Sequence, residues 1–176
     1  MLDLIEFRQE LLEVVNARHP SGRTVKEEAE FAFLCEIADR LTQAEEFSDV
    51  IPSYYSGTGS RGRRIRVDGY QFDEADSSVR LIICDFSGTP ETESMTRTRA
   101  EISFKQVQAF VEDSLSNRIW ENIPVGMENS LELAGQISNG HEGIVRYRIY
   151  LFTDAALSDR LRDLPEGDID GRPVEY

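Results

Sequence analysis

The chain has 176 residues, 33 of them acidic against 19 Lys and Arg, for a formal net charge of −14. With 40% hydrophobic and 30% charged residues it can bury the core of one domain, which excludes collagen-like and wholly disordered chains. A pI near 4.5 also argues against sequence-independent nucleic-acid binding through bulk charge, because affinity for phosphates comes from cations that displace counterions.

The first segment, MLDLIEFRQELLEVV, carries acids early and has no basic n-region or small-residue cleavage site, so no secretory signal is expected. No apolar run approaches the roughly 20 residues of a bilayer span, so no membrane partner is expected. Cys35 and Cys84 make neither a disulfide framework nor a zinc set; reduced thiols in a cytoplasmic protein are expected.

Residues 2–18 read as an amphipathic helix with Leu4, Phe7, Leu11 and Val15 on its stripe, stopped by His19-Pro20-Ser21-Gly22. A second helix is expected over 25–45, with Phe33, Leu34, Ile37, Ala38 and Leu41 inward; Thr24 and Glu27 would form a capping box. Strands follow at 50–55, 64–72 and 78–87, separated by a Gly/Ser loop and an acidic turn. In the last strand Arg80, Ile82, Cys84 and Phe86 face one way and Val79, Leu81, Ile83, Asp85 and Ser87 the other. Apolar residues on both faces predict a covered, central strand. After a polar stretch, a helix is expected over 99–117, a short helix near 129–137, a strand over 144–153, a short helix over 154–164, and the start of a strand from 168.

The order α, α, β, β, β, α, β, α, β predicts an α/β (α+β) fold: a mixed sheet flanked by helices. The unit from 78 to 153 would be a right-handed parallel crossover. Residues 1–22 read as an N-terminal helical extension and 23–176 as the domain. The apolar stripe of the extension has three open occupants: the domain itself, a twin subunit in a homo-oligomer, or a C-terminal region of a longer chain.

Asp68 and Asp85 sit on consecutive strands that otherwise want to be apolar. A buried carboxylate is expensive to keep ionised, and coordination of a hard cation such as Mg²⁺ or Mn²⁺ is one way to do it. The bland alternative is a pair of strand-end acids, Asp68 in an ordinary Asp-Gly turn. Glu30 shares the inner stripe of the second helix; its alternative is a first-turn acid that, with Glu27 and Glu28, complements the helix dipole. Arg61, Arg63, Arg64 and Arg66 form a basic tract that either grips phosphates or guards a sheet edge. Tyr54, Tyr55 and Trp120 read as core or rim. His19 and His141 have no triad partners nearby in sequence, and Gly57, Gly59 and Gly62 lack the Lys-Ser/Thr of a phosphate loop.

Four segments carry a resemblance: EFAF at 30–33, RGRRIRVDGY at 61–70 with FDE at 72–74, LIICDFS at 81–87, and FTDAALSDR at 152–160. The sequence of helix Glu, strand Asp, hairpin, strand Asp, helix and strand resembles the PD-(D/E)XK (restriction-endonuclease-like) core. More narrowly, residues 30–176 are similar to the N-terminal domain of abortive-infection phage-resistance proteins. The resemblance implies anti-phage defence by metal-dependent hydrolysis of phosphodiester bonds in DNA or RNA, in a chain that is usually longer. Asp68, Asp85 and the Phe86 carbonyl would hold Mg²⁺ or Mn²⁺, and Glu30 would order a metal-bound water. The motif places a Lys where this chain has Ser87, whose hydroxyl cannot supply a positive charge; Lys105 is the candidate substitute. The second reading is therefore a catalytically degenerate nuclease fold that senses nucleic acid or binds a protein partner.

Overall fold

Two apolar stripes begin the chain and fold against each other. The computed structural model describes residues 4–18, 25–121, 123–127, 130–158, 161, 164 and 166–176. The first helix, α1 (Leu4–Ala17), buries Leu11 and Val15, whereas Leu4 at the outer end of the expected stripe is exposed. The second, α2 (Val25–Gln43), presents Phe33, Leu34 and Ala38 to the same layer. The expected stop at 19–22 and the Thr24 cap lie outside the described residues.

The main sheet is formed by β1 (Ile51–Thr58), β2 (Arg64–Asp73), β3 (Ser78–Asp85), β5 (Arg146–Thr153) and the C-terminal pair β7 (Gly167–Ile169) and β8 (Arg172–Glu175). Its order is β1-β2-β3-β5-β8-β7. β1, β2 and β3 are antiparallel neighbours, and β3 runs parallel to β5. The crossover between them contains α3 (Arg97–Leu115) and α4 (Leu131–Gly140). A mixed sheet flanked by helices is what the element order predicts.

The two faces of β3 divide the core as its alternation demands. Val79, Leu81 and Ile83 join Phe104, Val107, Phe110 and Val111 of α3. Ile82, Cys84 and Phe86 join Phe33, Leu34, Leu11 and Val15 under α2 and α1. Val79, Leu81 and Ile82 have no exposed surface. Each such side chain stabilises by about 1.5–3 kcal/mol relative to exposure, so β3 anchors both layers.

Three expectations are corrected. Helix α3 starts at Arg97 because Thr96 caps it, its hydroxyl oxygen accepting from the Arg99 N–H at 3.2 Å. Residues Ala156–Leu157 are not helical but form a short strand, β6, parallel to β4 (Ser94–Met95); most of the remaining segment expected to be helical lies outside the described residues. The C-terminal segment is a complete hairpin, turning at Asp170 and Gly171 with φ of 52° and 76°.

The loop before β2 is held tightly. Ser60 donates from its N–H and its hydroxyl to the Asp113 carboxylate, both at 2.7 Å. A Cβ on Gly59 would lie 2.1 Å from Ile65 Cδ1 and 2.4 Å from Asp113 Oδ2. Gly59→Ala is expected to destabilise by about 1–3 kcal/mol, the usual cost of overpacking, seen as a lower urea midpoint.

Candidate functional site

The candidate acids reach their positions through a change of side along β2. Ile65 and Val67 face α3, and Arg66 reaches the opposite way to α2. Tyr70, three residues beyond Val67, is again in the α3-side core, so the simple alternation breaks at Asp68–Gly69. The β1 pairing is irregular at the same place, passing from Pro52↔Gly69 to Tyr55↔Val67. The last paired residues of β2 and β3 are Gly69 and Ile82. Past them Asp68 turns its carboxylate onto β3, where Oδ2 accepts from the Cys84 N–H at 2.6 Å.

Arg66 fills the space between the two acids. Its Nε donates to Asp68 Oδ1 at 2.9 Å and its Nη2 to Glu30 Oε2 at 2.8 Å. All three side chains are largely buried. Burial raises the Glu30 and Asp68 carboxyls above their ordinary range, and the Arg66 guanidinium opposes this without cancelling it. Burial works against the charge on Arg66, but the two carboxylates outweigh it and raise the guanidinium above its usual value. Tyr54 packs its ring against the Arg66 guanidinium, 5.6 Å from ring centroid to Cζ.

Asp85 is held from the α3 side and lines the same cleft as Glu30 and Arg66. Arg99, in the first turns of α3, donates from Nε and Nη2 to both Asp85 oxygens at 2.5 Å and from Nη1 to Glu93 at 2.7 Å. Phe86 is held by its ring, which stacks on Phe33 with centroids 4.6 Å apart. Ser87, where the resemblance leads one to expect a Lys, binds Asp154: its N–H donates to Oδ1 at 2.9 Å and its hydroxyl to Oδ2 at 3.2 Å. Lys105 is exposed on α3 and is not among the residues that line the cleft beside Arg66.

The donor chemistry bears on a metal. Both Asp68 oxygens, one Glu30 oxygen and both Asp85 oxygens already accept from Arg66, Cys84 or Arg99. Asp68 is held by Arg66 and Asp85 by Arg99, and Asp85 lines the same cleft as Glu30 and Arg66. Among the described residues no group of three or more His, Cys, Asp or Glu is placed to hold an ion. A hard dication needs several free oxygens on one side; this arrangement supplies guanidinium charge in its place and does not fit the ion.

The basic tract divides as well. Arg63 is engaged by Glu112 and Asp113, and Arg66 by Glu30 and Asp68. Arg61 and Arg64 are exposed and have no ion pair among the described residues. Arg64 lines a cleft of about 440 Å³ in which Lys26, Arg64 and Arg66 face the acids Glu27, Glu30 and Asp85.

Two residues central to this region are absent from the sequence-based candidates. Arg99 looked like an ordinary exposed cation at the start of a helix, and only the three-dimensional approach of α3 to β3 pairs it with Asp85. Arg8 carried a readable signal: it falls on the buried stripe three residues before Leu11 and seven before Val15.

A family model described as the abortive infection phage resistance protein N-terminal domain matches residues 33–176. The chain belongs to that family. The match places its role in abortive-infection phage resistance, and it spans Asp68, Asp85 and the Arg tract, with Glu30 just before it. No curated protein and no solved structure matches the chain.

Proposed function

We propose that this abortive-infection domain is a degenerate relative of the PD-(D/E)XK fold that binds nucleic-acid phosphates in the Lys26–Arg64 cleft, without a metal and without cutting. The observation that carries the reading is Arg66, whose guanidinium occupies the place between Glu30 and Asp68 where a nuclease would need its cation. Ser87, engaged with Asp154, adds no positive charge.

The cleft has the means to hold an anion. Lys26 and Arg64 supply positive charge beside Glu27, while Glu30 and Asp85 are already paired with Arg66 and Arg99; Ser56, Ser103 and Gln106 supply neutral donors. Arg61, at the tip of the same loop, extends the basic surface. On a protein of net charge −14 these few cations act locally, so binding should be weak and strongly salt-dependent. Three phosphate contacts to a single strand predict a slope of about −2 in log K against log salt concentration.

Fluorescence anisotropy with a labelled single-stranded oligonucleotide at low salt tests this. The Lys26→Ala/Arg64→Ala variant should bind at least tenfold more weakly and lose about 1.4 from the magnitude of the slope. Unchanged binding would remove the cleft from the function. The nuclease reading is favoured by one feature, the convergence of two buried carboxylates on a single point. It predicts Mn²⁺-dependent cleavage and a calorimetric heat of Mn²⁺ binding that vanishes in Asp68→Ala. We expect neither, and observing both would restore it.

A further inference from the structure

Helix α4 turns one face toward an open groove of about 960 Å³. Leu131, Gly135 and Asn139 form a row at four-residue spacing along that face, and Glu132, Gln136 and Gly140 form the next row. The rest of the lining is Phe72 and Glu74, at the end of β2 and in the turn after it, and Trp120, which is 40% exposed. None of these residues lines the cleft beside Arg66, so the groove is a separate surface.

Gly135 lies in the middle of the face. Its φ is not in the left-handed region, and a Cβ there would meet no neighbouring atom within 4 Å. Glycine weakens a helix interior relative to alanine, and here neither backbone conformation nor packing within the chain asks for it. A dent in the centre of two rows at i, i+4 spacing is the form that admits the ridge of a second helix at close range. An added strand has no place, because β2 is already paired on both sides, with β1 and β3. The charge selects the composition of that helix. Gln136 donates to Glu132 at 3.3 Å, and no Lys or Arg lines the groove beside Glu132 or Glu74 among the described residues. Phe72, Trp120 and Leu131 supply apolar contact, and an exposed Trp is a common energetic anchor of an interface.

We infer that the α4–Trp120 groove docks an amphipathic basic helix of a partner protein. Its apolar residues would lie on Trp120, a small residue over Gly135, and Lys or Arg toward Glu74 and Glu132. The net charge of −14 attracts such a helix and opposes a second copy of this chain, which brings the same charge.

Trp120 is the only tryptophan in the chain, so its fluorescence reports on the groove directly. The probe is a Trp-free, Ala-rich helical peptide with Leu on one face and Lys flanking it. It should shift the emission to shorter wavelength in a saturable way, and the same peptide with Glu for Lys should bind several-fold more weakly. Gly135→Leu fills the dent with a better helix former. It should keep or raise Tm while weakening the Lys peptide by about tenfold or more, the size of an overpacking penalty. Glu74→Lys/Glu132→Lys, at two exposed positions, should reverse the preference between the peptides. No saturable change up to about 1 mM Lys peptide would overturn the inference. So would binding that is indifferent to Gly135→Leu, the signature of general attraction to an acidic surface. A wild-type dimer in sedimentation equilibrium that Gly135→Leu dissociates would give the groove to a second copy and overturn the basic partner.

Discussion

Replacing Arg66 by Met is expected to destabilise the domain by about 3–5 kcal/mol, because it strands Glu30 and Asp68 as uncompensated buried carboxylates. The loss should depend on pH in a defined direction. Burial already holds both carboxyls above their ordinary values of 4.5 and 3.8. A raised folded-state pKa gives stability that is complete below the unfolded value and is lost as pH rises through the folded one. Removing Arg66 takes away the main influence that lowers these pKa values, so the loss is larger and extends to higher pH. Urea denaturation should show the variant trailing the wild type by more at pH 8 than at pH 5. A gap independent of pH would mean that the carboxylates do not depend on Arg66. The Arg66→Met/Glu30→Gln/Asp68→Asn triple variant, with no charge left to compensate, should recover most of the stability. The same variants address a metal from another side: if Mn²⁺ stabilised Arg66→Met but not Arg66→Met/Asp68→Asn, the vacated acids would be a competent ion site.

How far the sequence leads depends on the range of the interaction. The burial of β3 was legible because it is local. Apolar residues on both sides of residues 79–86 need two covering layers, and α2 and α3 supply them. Glu30 was legible for a similar reason, since helical spacing places it on the inner stripe beside Phe33 and Leu34. Which cation Glu30 meets was not legible. Arg66 is 36 residues away, and its membership of an evident basic tract suggested a role outside the protein. The same holds for Arg99 and Asp85, which are joined by the way α3 crosses the sheet after its Thr96 cap. Ala156–Leu157 shows the reverse failure. Its helical pattern is short, and pairing with Ser94–Met95 overrides a weak local preference. The C-terminal hairpin was only half read, because its second strand gains its stability from β5.

The other large effect is expected where Ser87 is held. Asp154 is nearly inaccessible and receives Arg8 Nη2 at 2.8 Å, the Ser87 N–H and hydroxyl, and the Gly88 N–H at 3.2 Å. Arg8 also donates to the carbonyls of Asp154 at 2.9 Å and Thr89 at 2.7 Å, so a helix at the start of the chain locks the segment that leaves β3. Asp154→Ala leaves a buried guanidinium without its counter-charge and the Ser87 and Gly88 N–H groups without their acceptor, while the Ser87 hydroxyl keeps Thr89 Oγ1 within reach. It should cost about 3–5 kcal/mol, or a fall in Tm of roughly 6–20 °C for a chain of this size. Arg8→Ala should cost less, since those donors still satisfy Asp154. A double-mutant cycle should give a coupling of about 0.5–3 kcal/mol, and zero coupling would rule out the lock. This network also bears on the missing motif cation. In Ser87→Lys the backbone N–H remains on Asp154, so the new ammonium leaves the chain beside Asp154 and Arg8, away from Glu30 and Asp68. That variant is expected to gain no Mn²⁺-dependent cleavage; if it did cut, the proposed degeneracy would lie in one side chain and not in the arginine-filled arrangement around it.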